Sequence, residues 1–180
     1  MRPFCQEDAE TLTEIQQFNR DIFAPVMPVR DNRYFTQEFQ IAQIEKDLQQ
    51  WEGDGGYAFA VLWKGRLVGR VALSNVVRGA WQNATLGYWI DSRHQGQGLA
   101  TEAVLGALMA AFEHLHLHRV QAAIMPRNAP SLAVIAKAAF SYEGKAPRYL
   151  QINGRWEDHR IFSLTQEAYR PAPGFSLDQD

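Results

Sequence analysis

The six residues Arg93-His94-Gln95-Gly96-Gln97-Gly98 lie between a strand-like run, Leu86 to Ile90, and a long apolar-periodic stretch that begins at Leu99. The chemistry this arrangement suits is anion binding. The first backbone N–H groups of a helix have no internal acceptor and sit at the positive end of its dipole, so a loop that bares them can hold a phosphate. Glycines at 96 and 98 let an anion approach the backbone without interference from a Cβ atom. The loop is neither of the two common phosphate loops. No Lys-Ser/Thr pair follows the glycines, and position 101 is Thr where a dinucleotide fingerprint requires Gly.

Other residues with chemical potential are fewer. Asn128 and Ser131 stand at the start of a short apolar-periodic segment, where Ser favours helix caps. The run Glu113-His114-Leu115-His116-Leu117-His118 invites a metal reading, but residues two apart point to opposite sides and His near a helix C-terminus complements the dipole, so no metal site is expected. The single cysteine, Cys5, cannot form an internal disulfide, which fits a reducing, cytoplasmic setting. A net charge of −2 gives no footprint for nucleic acid. No run of eighteen apolar residues is present, and the N-terminus is acidic and polar, so neither a membrane partner nor a secretory leader is expected.

The elements that must position these residues follow from periodicity. Leu105, Leu108, Phe112 and Leu115 recur at spacings of three and four after Leu99, which predicts a helix from about Gly98. Upstream, a short first strand precedes a helix over 8–18, a proline-containing loop over 25–36, and a second helix from Thr36 to about Trp51. Tyr57 to Trp63, Leu67 to Val77 and Ala84 to Asp91 read as three strands joined at Lys64-Gly65 and Arg78-Gly79. Val120, Ala122 and Ile124 alternate as a fifth strand. Leu132, Ile135, Ala136 and Ala139 give a short helix with Pro130 in its first turn. A final hairpin, 148–152 and 158–164, turns at Asn153-Gly154. The chain reads as one domain over residues 1–170 with a loose tail over 171–180. The order β-α-α-β-β-β-α-β-α-β-β describes an α/β (α+β) domain with a mixed, largely antiparallel sheet and helices on both faces.

The loop matches the Gln/Arg-x-x-Gly-x-Gly/Ala pattern of the GCN-type (GNAT) N-acetyltransferases, and the element order resembles their fold. Asn128 and Phe140 keep the spacing of that family's Asn and Gly-Phe, with Ala139 replacing the Gly. Ala at that helix end is expected to cost little. The segments 74–79, 86–90 and 148–159 resemble the Rim-type ribosomal-protein alanine N-acetyltransferases.

The resemblance implies acetyl-CoA held in a wedge between the strand ending at Asp91 and the strand over 119–125. Its pyrophosphate would lie on the loop from Arg93 through His94, Gln95, Gly96, Gln97, Gly98 and Leu99 to Ala100, its pantetheine arm would pair with Trp89, Ile90 and Asp91, and Asn128 would hydrogen-bond that arm. Many relatives protonate the leaving thiolate with a tyrosine whose matching position here is Ile135. Ser131, one turn earlier, is the expected donor, the alternative being that it only caps its helix. The acceptor groove is expected between the loop joining the first helices and the last hairpin, at Tyr34, Phe35, Asn75, Arg148 and Tyr149.

The acceptor's own pKa decides how much basic help is needed. A lysine amine near ~10.4 is costly to deprotonate at neutral pH, whereas an α-amine near ~8 is not. The start of the fourth strand carries Gln82 and Asn83 and no carboxylate, which favours the α-amine. No base is identified, and Glu102 reads as a dipole partner of its helix. The implied function is acetyl transfer to a protein N-terminus by a monomer or homodimer. The alternatives are a small-amine acetyltransferase and a non-catalytic acyl-CoA-binding module.

Overall fold

The computed structural model describes residues 1–171; the tail expected over 171–180 lies, but for Pro171, outside the described residues. The chain runs β1 (Arg2–Pro3), α1 (Asp8–Phe18), α2 (Arg20–Phe23), α3 (Gln37–Glu52), β2 (Gly56–Trp63), β3 (Arg66–Val77), β4 (Asn83–Ile90), α4 (Leu99–Met109), β5 (Arg119–Ile124), α5 (Ala129–Lys137), β6 (Ser141–Ile152) and β7 (Arg155–Thr165). The stretch read as a plain loop over 25–36 instead holds two 3₁₀ turns, Ala24–Val26 and Asn32–Phe35, and α2 precedes it. Pro25 sits in the first of these turns, where its fixed φ is tolerated. The last hairpin is longer than its apolar pattern suggested because β6 begins at Ser141, seven residues before Arg148.

Seven strands form one sheet in the order β1-β2-β3-β4-β5-β7-β6. Every neighbouring pair is antiparallel except β4 and β5. Alternation along the strands assigns the two faces. Leu86 and Ile90 of β4, with Val120, Ala122 and Ile124 of β5, join Val104, Ala107 and Leu108 of α4 and Phe112 just beyond it in the larger core. On the opposite face Leu12 and Ile15 of α1 and Ile44 of α3 pack with Ala58 and Ala60 of β2, and Trp89 borders that cluster. Helices therefore cover both faces. On the second face α1 and α3 lie against β2 and β3, which leaves Gly87 of β4 exposed.

Helix α5 departs from the expected stripe. Ile135 is its buried residue and Ala138, its C-cap, is buried too, whereas Ala136 and Ala139 are exposed. The reason lies at its C-terminus. Phe140 N donates to Ile135 O and Ala139 N to Ala136 O, both at 3.2 Å, which is a Schellman cap with Ala139 at the left-handed position, φ +59°. An alanine there carries a conformational cost of about 1 kcal/mol, more than the sequence reading allowed. Ala139→Gly is expected to raise unfolding stability by about 1 kcal/mol, seen as a gain of about 2–4 °C in thermal melting.

Candidate active site

The site is built where the sheet comes apart. Strands β4 and β5 pair only at Asn83–Arg119, Ala84–Val120 and Thr85–Gln121, so β4 continues for five residues, to Ile90, without a partner on that side. Asp91 N donates to Val68 O at 2.8 Å, and the alternation of an antiparallel ladder then turns the N–H groups of Tyr88 and Ile90 away from β3 and into the gap. An extended arm laid in the gap meets these groups as a further strand would. Gly69 of β3 lets the two strands approach at this end, because a Cβ there would lie 2.5 Å from Ile90 Cδ1 and 2.6 Å from Trp89 O.

At the mouth of the gap the chain makes a 3₁₀ turn at Ser92–His94 and enters α4 through Gly96, φ +77°, and Gly98, φ +84°. Gly98 is the N-cap of α4 and has no side chain to satisfy the first turn. Among the described residues, the N–H groups of 96 to 100 find no acceptor, and a Cβ built at either glycine meets nothing within 4 Å. Five bare donors in open surroundings at the positive end of an eleven-residue helix suit a pyrophosphate. Leu99 is in the core and Trp89 packs on Phe23 at 5.9 Å, so both offer only backbone to the gap. The Gln95 side chain donates to Ile90 O at 3.2 Å and closes the turn.

Arg93 does not aim its side chain at the loop. Its guanidinium lies 2.6 Å from Asp91, donates to Glu14 at 2.8 Å and covers the Phe18 ring at 4.5 Å. Asp91, 1% exposed, also accepts from Asn19 Nδ2 at 3.0 Å, and Asn19 Oδ1 accepts from Ser92 N at 3.0 Å. Burial pushes the Asp91 carboxyl up, but hydrogen bonds from Arg93 and Asn19 outweigh it and hold the group below the ordinary carboxylate range. The binding loop is thus fixed to the end of α1 by a buried polar node. His94 Nδ1 stands 3.7 Å from the same carboxylate without a hydrogen bond.

Asn128, not Ser131, caps α5: its Oδ1 accepts from Ser131 N at 3.2 Å. The capping alternative for Ser131 falls away, and its hydroxyl has no partner among the described residues. Tyr88 reaches across the gap and donates from its hydroxyl to Ser131 O at 3.2 Å. Burial pushes the Tyr88 phenol up to about 12, so it stays a proton donor at neutral pH. Tyr88 was missed as a site residue in the sequence, where it reads only as an alternating member of β4. Ile135, at the usual tyrosine position, is buried in the core.

The groove expected for the acceptor draws on three distant pieces of chain. Tyr34 and Phe35 line a depression with Gln16, Phe23, Met27 and Asn153. The hairpin tip is tied to this wall by Asn153 N donating to Met27 O at 3.0 Å. Arg127, just before α5, donates to Pro25 O at 3.2 Å and pairs with Glu157 at 2.6 Å. Tyr149 stacks on His159 with ring centres 5.6 Å apart, while Arg148 is exposed and gives its backbone N–H to Asp158. Asn75 is not part of this groove. It follows Ser74, which pairs with Thr85, and Thr85 lies five residues, about 17 Å of strand, from Ile90. Gln82 and Asn83 share that far end, so the lack of a carboxylate there has no bearing on the amine. The histidine run ends α4 in a π turn, with His118 against Glu167 at 3.1 Å, far from the gap in sequence and topology.

An open parallel split, a bare-amide loop at its mouth and a depression at the same end suit an acyl-CoA-dependent transferase. The acetyltransferase (GNAT) domain model matches residues 1–141. A probable N-acetyltransferase of Bacillus subtilis, YjcK, is 40% identical over 166 residues, 91% of this chain and 92% of its own length. The [ribosomal protein uS5]-alanine N-acetyltransferase of Escherichia coli is 32% identical over 167 residues, covering 91% and 86%. Mycobacterium smegmatis RimJ, solved in complex with a CoA-disulfide, superposes with a TM-score of 0.90 at 30% identity, over 92% of this chain and 81% of that one. The chain belongs to the GNAT family of N-acetyltransferases, whose acetyl donor is acetyl-CoA.

Proposed function

We propose that this enzyme acetylates the α-amino group of a protein N-terminus, that of a ribosomal protein, in the cytoplasm. The observation that supports it is the placement of the acceptor depression. One depression is walled by the loop after α2 and the hairpin tip at Asn153, an adjoining one by Pro25, Arg127 and Glu157, and Phe23 of the first packs on Trp89 of β4. Such a groove admits a chain end. Relatives named for ribosomal protein acetylation, about a third identical over nine tenths of this chain, lend the substrate class.

In this reading the amine attacks the thioester carbonyl carbon directly. The N–H groups of Tyr88 and Ile90 face the gap where the carbonyl oxygen gains charge, an interaction worth a few kcal/mol. The loop amides of 96–100 and Asn128 hold the rest of acetyl-CoA. Ser131, on the first turn of α5 with a free hydroxyl, donates to the departing thiolate. A thiol of pKa about 8.5 needs only weak help to leave, so Ser131→Ala is expected to lower kcat about tenfold while the Kd for acetyl-CoA stays unchanged. Stopped thiol-release assays with isothermal titration check both.

The test of the substrate class is thiol release from acetyl-CoA with three sets of amines: short peptides with free α-amines, N-blocked lysine peptides, and polyamines. Turnover confined to the first set is expected. Turnover of polyamines instead would assign the groove to small molecules, and tight CoA binding with no turnover on any set would make the chain a binding module.

A further inference from the structure

We infer that His159 is the proton acceptor for the incoming amine, an inference that rests on the acetyl transfer proposed above. The register of β7 on β5 pairs Gln121 with Ser163 and Ala123 with Ile161, whereas Val120, Ala122 and Leu164 face the core around α4. Residue 159, two on from Ile161, therefore lies on the acceptor face. Glu157, two further on, lines the depression at the hairpin tip with Arg127, Ile152 and Asn153.

The candidates on that face separate by their partners. Glu157 is neutralised by Arg127 at 2.6 Å. Glu143 is held by Arg119 and by the Ser163 hydroxyl at 2.8 Å, and the Arg119 hydrogen bond keeps its carboxyl below the ordinary range. The lowered carboxyl makes Glu143 a poor proton acceptor, and Glu157 is engaged by its arginine. Gly87 of β4 and Ala123 of β5 have no ionisable side chain at all. Tyr149 lies tilted against the imidazole, with ring centres 5.6 Å apart.

His159 differs from each. It is 3% exposed, and its Nδ1 lies 3.0 Å from Glu157 O. A carbonyl can only accept, so Nδ1 carries the hydrogen and the neutral ring presents a bare lone pair at Nε2. Nε2 has no protein partner among the described residues, yet it is absent from the fully enclosed unpartnered atoms, so it keeps an opening. An oriented imidazole with its tautomer fixed by backbone and its second nitrogen free is the arrangement of a general base. The balance is simple. The α-ammonium gives one proton to Nε2, directly or through one water, and the freed lone pair attacks the thioester carbon. The C–S bond then breaks and the nitrogen's second proton passes to the thiolate. The products are the N-acetyl amide and CoA thiol, and the imidazolium returns its proton to solvent.

His159→Asn keeps an N–H for Glu157 O, and His159→Gln keeps the reach of Nε2 without its basicity. In the intact chain at pH 7, with an α-amine peptide as acceptor, both are expected to lose about 10²- to 10³-fold in kcat with acetyl-CoA affinity unchanged. Their residual rates should climb as pH passes the α-amine's own pKa, about 8, because the amine then needs no base. Wild-type kcat at pH 7 in both variants, each binding acetyl-CoA normally, would overturn the assignment. If the wild-type chain acetylates no amine in the panel, the proposed activity fails first and the role of His159 with it.

Discussion

Gly98→Val is expected to weaken acetyl-CoA binding by about 10²-fold while leaving the protein folded. Gly98 sits at φ +84° as the N-cap of α4, a conformation that costs an L-residue about 1–2 kcal/mol and a β-branched one more. No protein atom lies within 4 Å of the position a Cβ would take, so the substitution meets no steric wall in the protein itself. The added methyls instead crowd the open space beside the N–H groups of 96–100, and the strained turn re-aims those donors. Titration calorimetry with CoA measures the loss. Gly65→Val is the matched control, since Gly65 has φ +75° and equally open surroundings in the turn between β2 and β3. It should lose similar stability and no affinity. Equal affinity in Gly98→Val would show that the loop does not hold the pyrophosphate.

Asp91→Ala is expected to cost about 3 kcal/mol of stability and to loosen the same loop. The carboxylate is 1% exposed and accepts from Arg93 Nε at 2.8 Å, Arg93 N at 3.1 Å and Asn19 Nδ2 at 3.0 Å. Its removal takes one of two acceptors from the buried Asn19 amide, which keeps Ile15 O, and leaves Arg93 with Glu14 alone as its carboxylate partner. Losing one member of a buried charged node costs several kcal/mol, reduced here because the Arg93 side chain is 37% exposed. The pH dependence has a defined sign. Because the folded Asp91 carboxyl titrates below its ordinary value, its contribution is complete above about pH 4 and is lost as pH falls through the lower folded value. Urea denaturation at pH 7 and pH 3 should therefore show wild type and Asp91→Ala far apart at pH 7 and closer at pH 3. Equal midpoints at pH 7 would remove Asp91 as the anchor of the loop.

Much of this molecule is local, and the local part is legible in the chain. The glycines at 96 and 98, the periodic stretch behind them and the alternating run before them specify strand, loop and helix because each depends on residues a few positions apart. The same holds for Thr36, whose hydroxyl caps α3 by accepting from Phe39 N, and for Asn153-Gly154, where the last hairpin turns. The family's loop pattern is readable for the same reason, since bare helix amides need only the residues that form the turn.

The tertiary structure decided the rest. Nothing in the sequence says that Arg93 turns from the loop toward Glu14, 79 residues away, or that Asn19 joins Asp91 across 72. Asn75 looked like a groove residue until the β3–β4 register placed it at the other end of the sheet. His159 reads as one more alternating strand residue, and only the β5–β7 register and the Glu157 carbonyl set its face and its tautomer. Periodicity reports which face of an element is buried. It does not report which strands part company or which end of a sheet two residues share, because those follow from closing long loops around one core.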